Sequence, residues 1–221
     1  MFSSALYQTL NLTSQAELDA IIEGVTQTMN KHFIPAMIVS FILLLATANT
    51  VVFADMTLDN KHSSVSFVSV KKGTVAEAHH IKKLSGSLTD SGQLKVILDL
   101  ASVDTKIEIR DQRIKAFLFE TTKFTEATLT AQIKDIVNTD DGIKKLTMDA
   151  KLDLHGISQT IKVDVIVLKS GNTLLATSAT PILINAADFK LDGGIGKLQE
   201  LAKLPSIATA VPVNFTLVFL K

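Results

Sequence analysis

Four histidines follow residue 54: His62, His79, His80 and His155. A metal site needs three or four convergent donors. His79 and His80 are adjacent, so a strand points them to opposite faces and they cannot share one ion. His62 and His155 are the pair that folding could bring together, although hydrogen-bonded histidines at strand ends are the simpler assignment. Asp104, Arg110 and Asp111 carry the charges of an ion-pair site. With Asp104 beside Thr105 and Arg110 inside a short helix, they suit a clamp that ties the helix to the rest of the fold. The functional alternative is that Arg110 meets a polar ligand head group. Gly193-Gly194-Ile195-Gly196 lacks the Lys-Ser/Thr that follows a phosphate loop. No G-x-S-x-G is present and no Ser has a plausible His base. The absence of Cys removes disulfides, thiolate zinc sites, iron–sulfur clusters and cysteine nucleophiles together. No catalytic residue, metal or enzymatic activity is therefore expected.

The 221 residues hold 22 Lys+Arg and 22 Asp+Glu. That balance argues against a nucleic-acid binder, which needs surplus cations to displace counterions from phosphates. Hydrophobic residues make up 47% and aromatics 5%, so any core must be aliphatic. The doublets Lys71-Lys72 and Lys82-Lys83 are better placed solvating strand edges than binding anionic lipid.

Phe33 to Ala54 are 22 consecutive uncharged positions, preceded by Asn30, Lys31 and His32 and ended by Asp55. A basic segment, an apolar segment and small residues at Val52 and Ala54 are the three parts of a cleaved secretory signal peptide. An uncleaved membrane anchor is the rival, since about 20 apolar residues can span a bilayer. Apolar density falls at Thr47–Thr50, where a cleaved peptide becomes extended. Residues 1–28 carry Glu17, Asp19 and Glu23 and do not fit a signal peptide. They are expected to be a mis-assigned start before Met29, or a short extension. The expected organisation is thus residues 29–54 as signal peptide and 55–221 as one exported domain with a charge near +2.

That domain has the period of strands. Leu146, Met148, Ala150, Leu152 and Leu154 alternate with Thr147, Asp149, Lys151 and Asp153, the pattern of a half-buried strand. Ile161, Val163, Val165 and Val167 continue it, and His155 to Thr160 are expected to join the two as a hairpin. The same period recurs at Val65 and Phe67, at Leu94 to Leu100, at Leu129 to Ile133, at Leu174 to Ile184 and at Val211 to Phe219. With residues 74–88 this makes about eight strands. Two segments break the period. Thr105 and Glu108 have capping-box spacing before Ile107, Ile114, Phe117 and Leu118 at helical intervals. Residues 193–205 place Leu198, Leu201 and Leu204 along one side before Pro205. Eight amphipathic strands with two short helices suggest a barrel or sandwich, because closure removes exposed edges.

Five motifs in order resemble the YceI-like family of periplasmic, lipocalin-like proteins. LDNKHSSVSF (58–67) is similar to that family's opening D-x-x-H-S-x-V-x-F strand. SVDTKIEIRDQRIKAFLFE (102–120) is similar to its V-D-T…R-D…L…F-F segment. LDLHGISQTI (152–161) resembles its L-T-L-H-G-V-T hairpin, INAADFKL (184–191) its I-N-R-x-D-F-G-L motif, and VPVNFTLVF (211–219) its last strand. The chain departs from the pattern at Ala186, where the family often has Arg. It also departs near Phe124-Thr125, where a Tyr-Pro pair is common, and at Gln159-Thr160 in place of Lys-Pro. The resemblance implies an all-β fold: an eight-stranded antiparallel lipocalin-like barrel with one or two short helices, holding a long apolar molecule.

Eight strands enclose room for side chains or for one ligand. Few bulky rings are available to fill the lumen, since Trp is absent and the single Tyr is Tyr7. The expected ligand wall is Val65, Phe67, Leu98, Met148, Leu152, Val163, Val165, Phe215 and Leu217, with Arg110 as the candidate polar contact. The expected function is a periplasmic binding protein that carries, stores or sequesters a polyisoprenoid or quinone-type lipid and uses no cofactor. The alternative is a non-enzymatic stress-response or scaffold protein with a filled barrel and a protein partner. A homodimer stays open, and no membrane partner is assigned.

Overall fold

The computed structural model describes residues 55–137 and 140–221. The signal-peptide and extension expectations for residues 1–54 lie outside the described residues. Twelve strand segments form one sheet: β1 (Met56–Leu58), β2 (Ser64–Lys71), β3 (Val75–Ile81), β4 (Leu84–Leu88), β5 (Gln93–Asp99), β6 (Val103–Asp104), β7 (Glu126–Gln132), β8 (Gly142–Leu154), β9 (Ile157–Ser170), β10 (Thr173–Ser178), β11 (Ile182–Asn185) and β12 (Ala210–Leu220).

The twelve segments are eight barrel strands, four of them interrupted. β1 and β2 lie end to end along one edge of β12, and β10 and β11 lie end to end along its other edge. β3 and β4 continue each other beside β2 and β1, and β5 and β6 beside β4 and β3. β7, β8 and β9 complete the antiparallel meander from β5 to β10. Pairing of β12 with both its first and its seventh partner strand closes the ring, so the eight-stranded expectation holds.

Hydroxyl groups repair the ladder where strands break. Between β1 and β2, Val218 N donates to Ser63 Oγ at 2.9 Å and Asp59 N donates to Val218 O at 2.8 Å. Between β10 and β11, Phe215 N donates to Ser178 Oγ at 3.2 Å and Thr177 Oγ1 donates to Phe215 O at 2.9 Å. Each satisfies a β12 backbone group that would otherwise be orphaned at a break. The expected single strand over 174–184 is thus two, interrupted just before Pro181, which has no N–H to give the ladder.

The β8–β9 connection is shorter than the six residues expected. Leu154 pairs with Ile157, leaving His155 and Gly156 as a two-residue turn with φ of 53° and 75°. Two consecutive positive φ values make the turn whose twist matches a hairpin.

Two of the three helices among the described residues gather over one end of the barrel, and the short one after β7 lies at the other, where Ile136 packs beside Leu94, Met148 and Phe219. α1 (Glu108–Arg113) runs into a wider π turn over Ile114–Leu118, α2 is Lys134–Val137, and α3 is Asp192–Ala202. The expected capping box does not form. Ile107 occupies the cap position without a side-chain bond, while Thr105 N and Oγ1 both donate to Asp111 Oδ1. The Asp111 carboxylate outcompetes Glu108 for those donors, and the helix begins later than the spacing implied. α3 packs on the π turn, and an added Cβ at Gly194 would lie 2.4 Å from Phe117 O. Ile184, Ala186, Phe189, Leu191 and Ile195 bury one another there as a cluster of their own.

Two neighbouring glycines test this packing. Gly194→Ala is expected to lower stability by about 1–3 kcal/mol, because the methyl meets backbone that cannot move cheaply. Gly196→Ala, with nothing within 4 Å, is expected to raise it by up to about 1 kcal/mol through helix propensity. Thermal melts of the two variants check the pair, and equal effects would contradict the close crossing.

Candidate ligand-binding cavity

The inward rows of the eight strands are not filled to the same degree along the barrel. At one end Met148, Ala150, Val163, Val165, Leu174 and Phe219 pack around a void of about 30 Å³. At the helical end a cavity offers about 180 Å³ to the centre of a water-sized sphere. One water needs only about 10–15 Å³ by the same measure, and a cavity without polar partners stays dry. All of its lining residues are Val, Leu, Ile, Phe or Ala.

The strand periodicity places the sequence-derived wall on the inner face, but in two groups. Val65, Phe67, Leu98, Leu152, Phe215 and Leu217 line the larger cavity. Met148, Val163 and Val165 line the smaller void, together with Phe215 and Leu217. Sequence reasoning missed the roof, formed by Leu118, Phe119, Ile182, Ile184, Ala186, Leu191 and Ile195. Its signal was mixed: Ile182 and Ile184 belong to the strand row read from Leu174 to Ile184, whereas the others are apolar residues outside the strand period. Ala186, where Arg was expected from the resemblance, is 3% exposed and extends the apolar wall.

Beyond Phe67 the inner face of β2 and β3 becomes polar. Ser69 pairs with Glu77, and His79 pairs with Phe67. His79 is buried and His80 is exposed, as adjacent strand residues must be. Arg110 is a clamp: Nη1 pairs with Glu77 Oε2, and Nη2 donates to Thr105 O at 2.6 Å. Lys71 Nζ shares the same Glu77 oxygen at 2.9 Å. These cations, Lys71 first, hold the Glu77 carboxyl below the usual carboxylate range. Burial pushes the His79 imidazole down, and Arg110 adds to the effect. The basic doublets are partly ion-paired, with Lys71 on Glu77 and Lys82 on Asp104.

Two other histidines settle locally. His62 Nδ1 pairs with Asp59 in the β1–β2 loop. His155 Nδ1 lies 3.2 Å from Phe189 O, and its ring packs on Phe124 at 4.3 Å, which ties the β8–β9 turn to the roof. Among the described residues no three His, Asp or Glu side chains are placed to share a metal ion.

The fold and the site together define a closed antiparallel β-barrel with a hydrocarbon-lined internal chamber under a helical roof. The YceI-like domain model matches residues 56–219, and the chain belongs to that family. It is 35% identical to a polyisoprenoid binding domain from Saccharophagus degradans implicated in plant cell wall breakdown, with a TM-score of 0.72. That match covers 75% of this chain and 97% of the other. BcnA of Burkholderia cenocepacia shares the fold at 22% identity and a TM-score of 0.57, covering 73% of this chain and 98% of BcnA. No curated protein matches the chain.

Asp104 anchors the segment that carries Arg110. Its carboxylate takes Lys106 Nζ at 2.8 Å, Lys82 Nζ at 2.9 Å and Lys106 N at 2.9 Å. Those bonds hold its pKa far below the ordinary value. A carboxyl with a depressed folded pKa contributes stability above its unfolded pKa of about 3.9 and loses it as pH falls. Asp104→Asn is therefore expected to lower the melting temperature at pH 7 and to show a shrinking deficit below about pH 4. Melts of both proteins at pH 7 and pH 3 check this; a deficit that does not change with pH contradicts it.

Proposed function

We propose that this protein is a non-enzymatic carrier that holds the chain of an isoprenoid-type lipid inside its barrel, for transport, storage or sequestration in the periplasm. The observation that carries this reading is the apolar cavity of about 180 Å³ beneath the roof. A barrel serving only as a scaffold has no need of that space. The 35% identical relative is a polyisoprenoid binding domain, which supports the same ligand class. Burying hydrocarbon contributes roughly 0.8 kcal/mol per CH2, so about ten methylenes supply on the order of 8 kcal/mol before ordering costs. An alternating aliphatic wall achieves this without a specific polar contact. The wall residues proposed to touch the chain are Val65, Phe67, Leu98, Leu152, Phe215 and Leu217. Met148, Val163 and Val165 close the far end.

The test is organic extraction of the purified protein and mass spectrometry of the extract, which should contain an isoprenoid-type lipid. Leu152→Trp projects into the large cavity and is expected to reduce extracted lipid with little change in melting temperature. Ala150→Phe meets the void of about 30 Å³, so it should cost about 1–3 kcal/mol of stability by overpacking. A barrel that loses stability with Leu152→Trp while its lipid content stays constant would count against the carrier reading.

Export is part of the proposal. The Lys31, apolar-run and Val52-x-Ala54 pattern should direct cleavage after Ala54. Intact-mass analysis of the periplasmic fraction is expected to show a chain beginning at Asp55. A membrane-bound product that retains residues 33–54 would establish an anchor instead.

A further inference from the structure

β10 and β11 follow one another along β12, but the register changes between them. From Thr177 to Ile182 the chain advances five positions, while its partners on β12 advance three, from Thr216 to Val213. The two extra residues fall in Ala179–Pro181 as a bulge, and a bulge bends its strand. β10 is paired on both sides, with β9 and with β12. β11 is paired with β12 alone. Asp164 O of β9 still accepts from Ala179 N at 2.8 Å, and there the ladder ends. Backbone groups alternate in direction along an antiparallel strand. The Ala179 N to Asp164 O and Ala186 N to Thr209 O bonds set the phase. Ser158, Thr160 and Lys162 of β9 therefore turn their backbone groups toward Leu183 and Asn185 of β11, with no ladder between them.

This seam borders the chamber. Ile161 from β9 and Ile182 and Ile184 from β11 line the cavity on its two sides. Their outward neighbours Thr160, Lys162, Leu183 and Asn185 are exposed, Leu183 by 70%. Where the seam meets the roof, Gln159 Nε2 donates to Asp188 O at 3.4 Å. Between that bond and Asp164, no hydrogen bond among the described residues crosses it. The four residues of β11 give it a length of about 13 Å. Three other routes to the chamber are obstructed more firmly. Lifting the roof would break the Arg110–Glu77, Thr105–Asp111 and His155–Phe189 O contacts. The opposite end is packed around a void of about 30 Å³. Parting a zipped wall such as β8–β9 would break a ladder that runs from Gly142 to Leu154. Parting the seam breaks no backbone hydrogen bond, which makes it the easiest of these local openings.

We propose that the seam between β9 and β11 is the door through which the ligand chain enters and leaves the barrel, sideways and between strands. The proposal rests on the carrier reading above and adds the route to it. Ile161, Ile182 and Ile184 are then wall and door together. A chain passing between them keeps hydrocarbon contact from the chamber out to the exposed Leu183. Parting of the seam, and not lifting of the roof, sets the rate of exchange.

The chain contains no Cys, so introduced cysteine pairs can bridge the seam selectively. Thr160→Cys with Leu183→Cys, and separately Ser158→Cys with Asn185→Cys, place thiols at exposed positions on its two sides. A control pair, Lys145→Cys with Ile166→Cys, joins registered partners on the outer face of the β8–β9 ladder. Each pair is bridged with a short bis-maleimide. Melts before bridging show which pairs fold, and either seam pair suffices. The probe is a long-chain prenyl alcohol. Mass spectrometry follows replacement of isotopically labelled alcohol in the protein by unlabelled alcohol from phosphatidylcholine vesicles. A seam bridge is expected to slow exchange by about tenfold or more. The same protein before bridging, and the bridged control, should exchange at the wild-type rate. Protein loaded first and bridged afterwards should keep its labelled alcohol. Undiminished exchange across a bridged seam overturns the door. Equal slowing by the control bridge assigns the effect to stiffening of the whole barrel and overturns it as well. In both cases bound alcohol still upholds the carrier reading, whereas failure of wild-type protein to bind the alcohol overturns both.

Discussion

The structure depends on a shortage of side-chain volume inside a closed ring. Eight alternating strands turn their apolar rows inward, and closure through both edges of β12 leaves those rows no other surface to pack on. The residues on them are mostly Val, Leu, Ile and Ala, with no Trp anywhere in the chain. Where β8, β9, β10 and β12 face one another, such side chains meet and leave almost no void. Toward the helical end they do not meet. Filling that end would need larger residues, a helix inserted into the lumen, or a ligand. The chain supplies a roof in place of an inserted helix.

The roof costs order, and the fold offsets that with a small number of directed contacts. The Asp111 carboxylate fixes Thr105, Arg110 joins α1 to Glu77 on β3, and Arg113 reaches Leu201 O near the end of α3. Gly194 lets α3 approach the π turn at backbone distance. His155 holds the β8–β9 turn against Phe189 O. These contacts connect segments far apart in sequence, so the cavity depends on polar bonds at its margin as much as on its apolar wall. His79 packs edge-on to Phe67 of the chamber wall, on the strand that also carries Glu77, the partner of Arg110.

Membership of the YceI-like family and the departures from its pattern have separate consequences. The family match over residues 56–219 spans the barrel strands from β1 to β12. Ala186 changes the chamber locally. A buried Arg at that position would bring a charge needing a partner, whereas Ala186 lies in the apolar cluster with Phe189 and Leu191.

The barrel was legible because strand alternation is a local property. Leu152 and Val163 could be assigned to the inner face from their immediate neighbours, since side chains alternate with a period of two and a register slip would expose the whole row. The strand breaks at Ser63 and Ser178 were not legible, because each depends on a β12 backbone group brought alongside by folding. The capping box failed for the same reason: Thr105 had two acidic candidates, and three-dimensional placement selected Asp111. By itself the sequence determined which faces are apolar, how many strands close the ring and that few rings were available to fill it. Only the tertiary structure decided where the lumen stays empty, that Ile184, Leu191 and Ile195 roof it, and that His79 and Arg110 share one patch across 31 positions of chain. Hydrophobic periodicity is set residue by residue, whereas cavity volume and hydrogen-bond satisfaction are sums over neighbours that only the closed fold assembles.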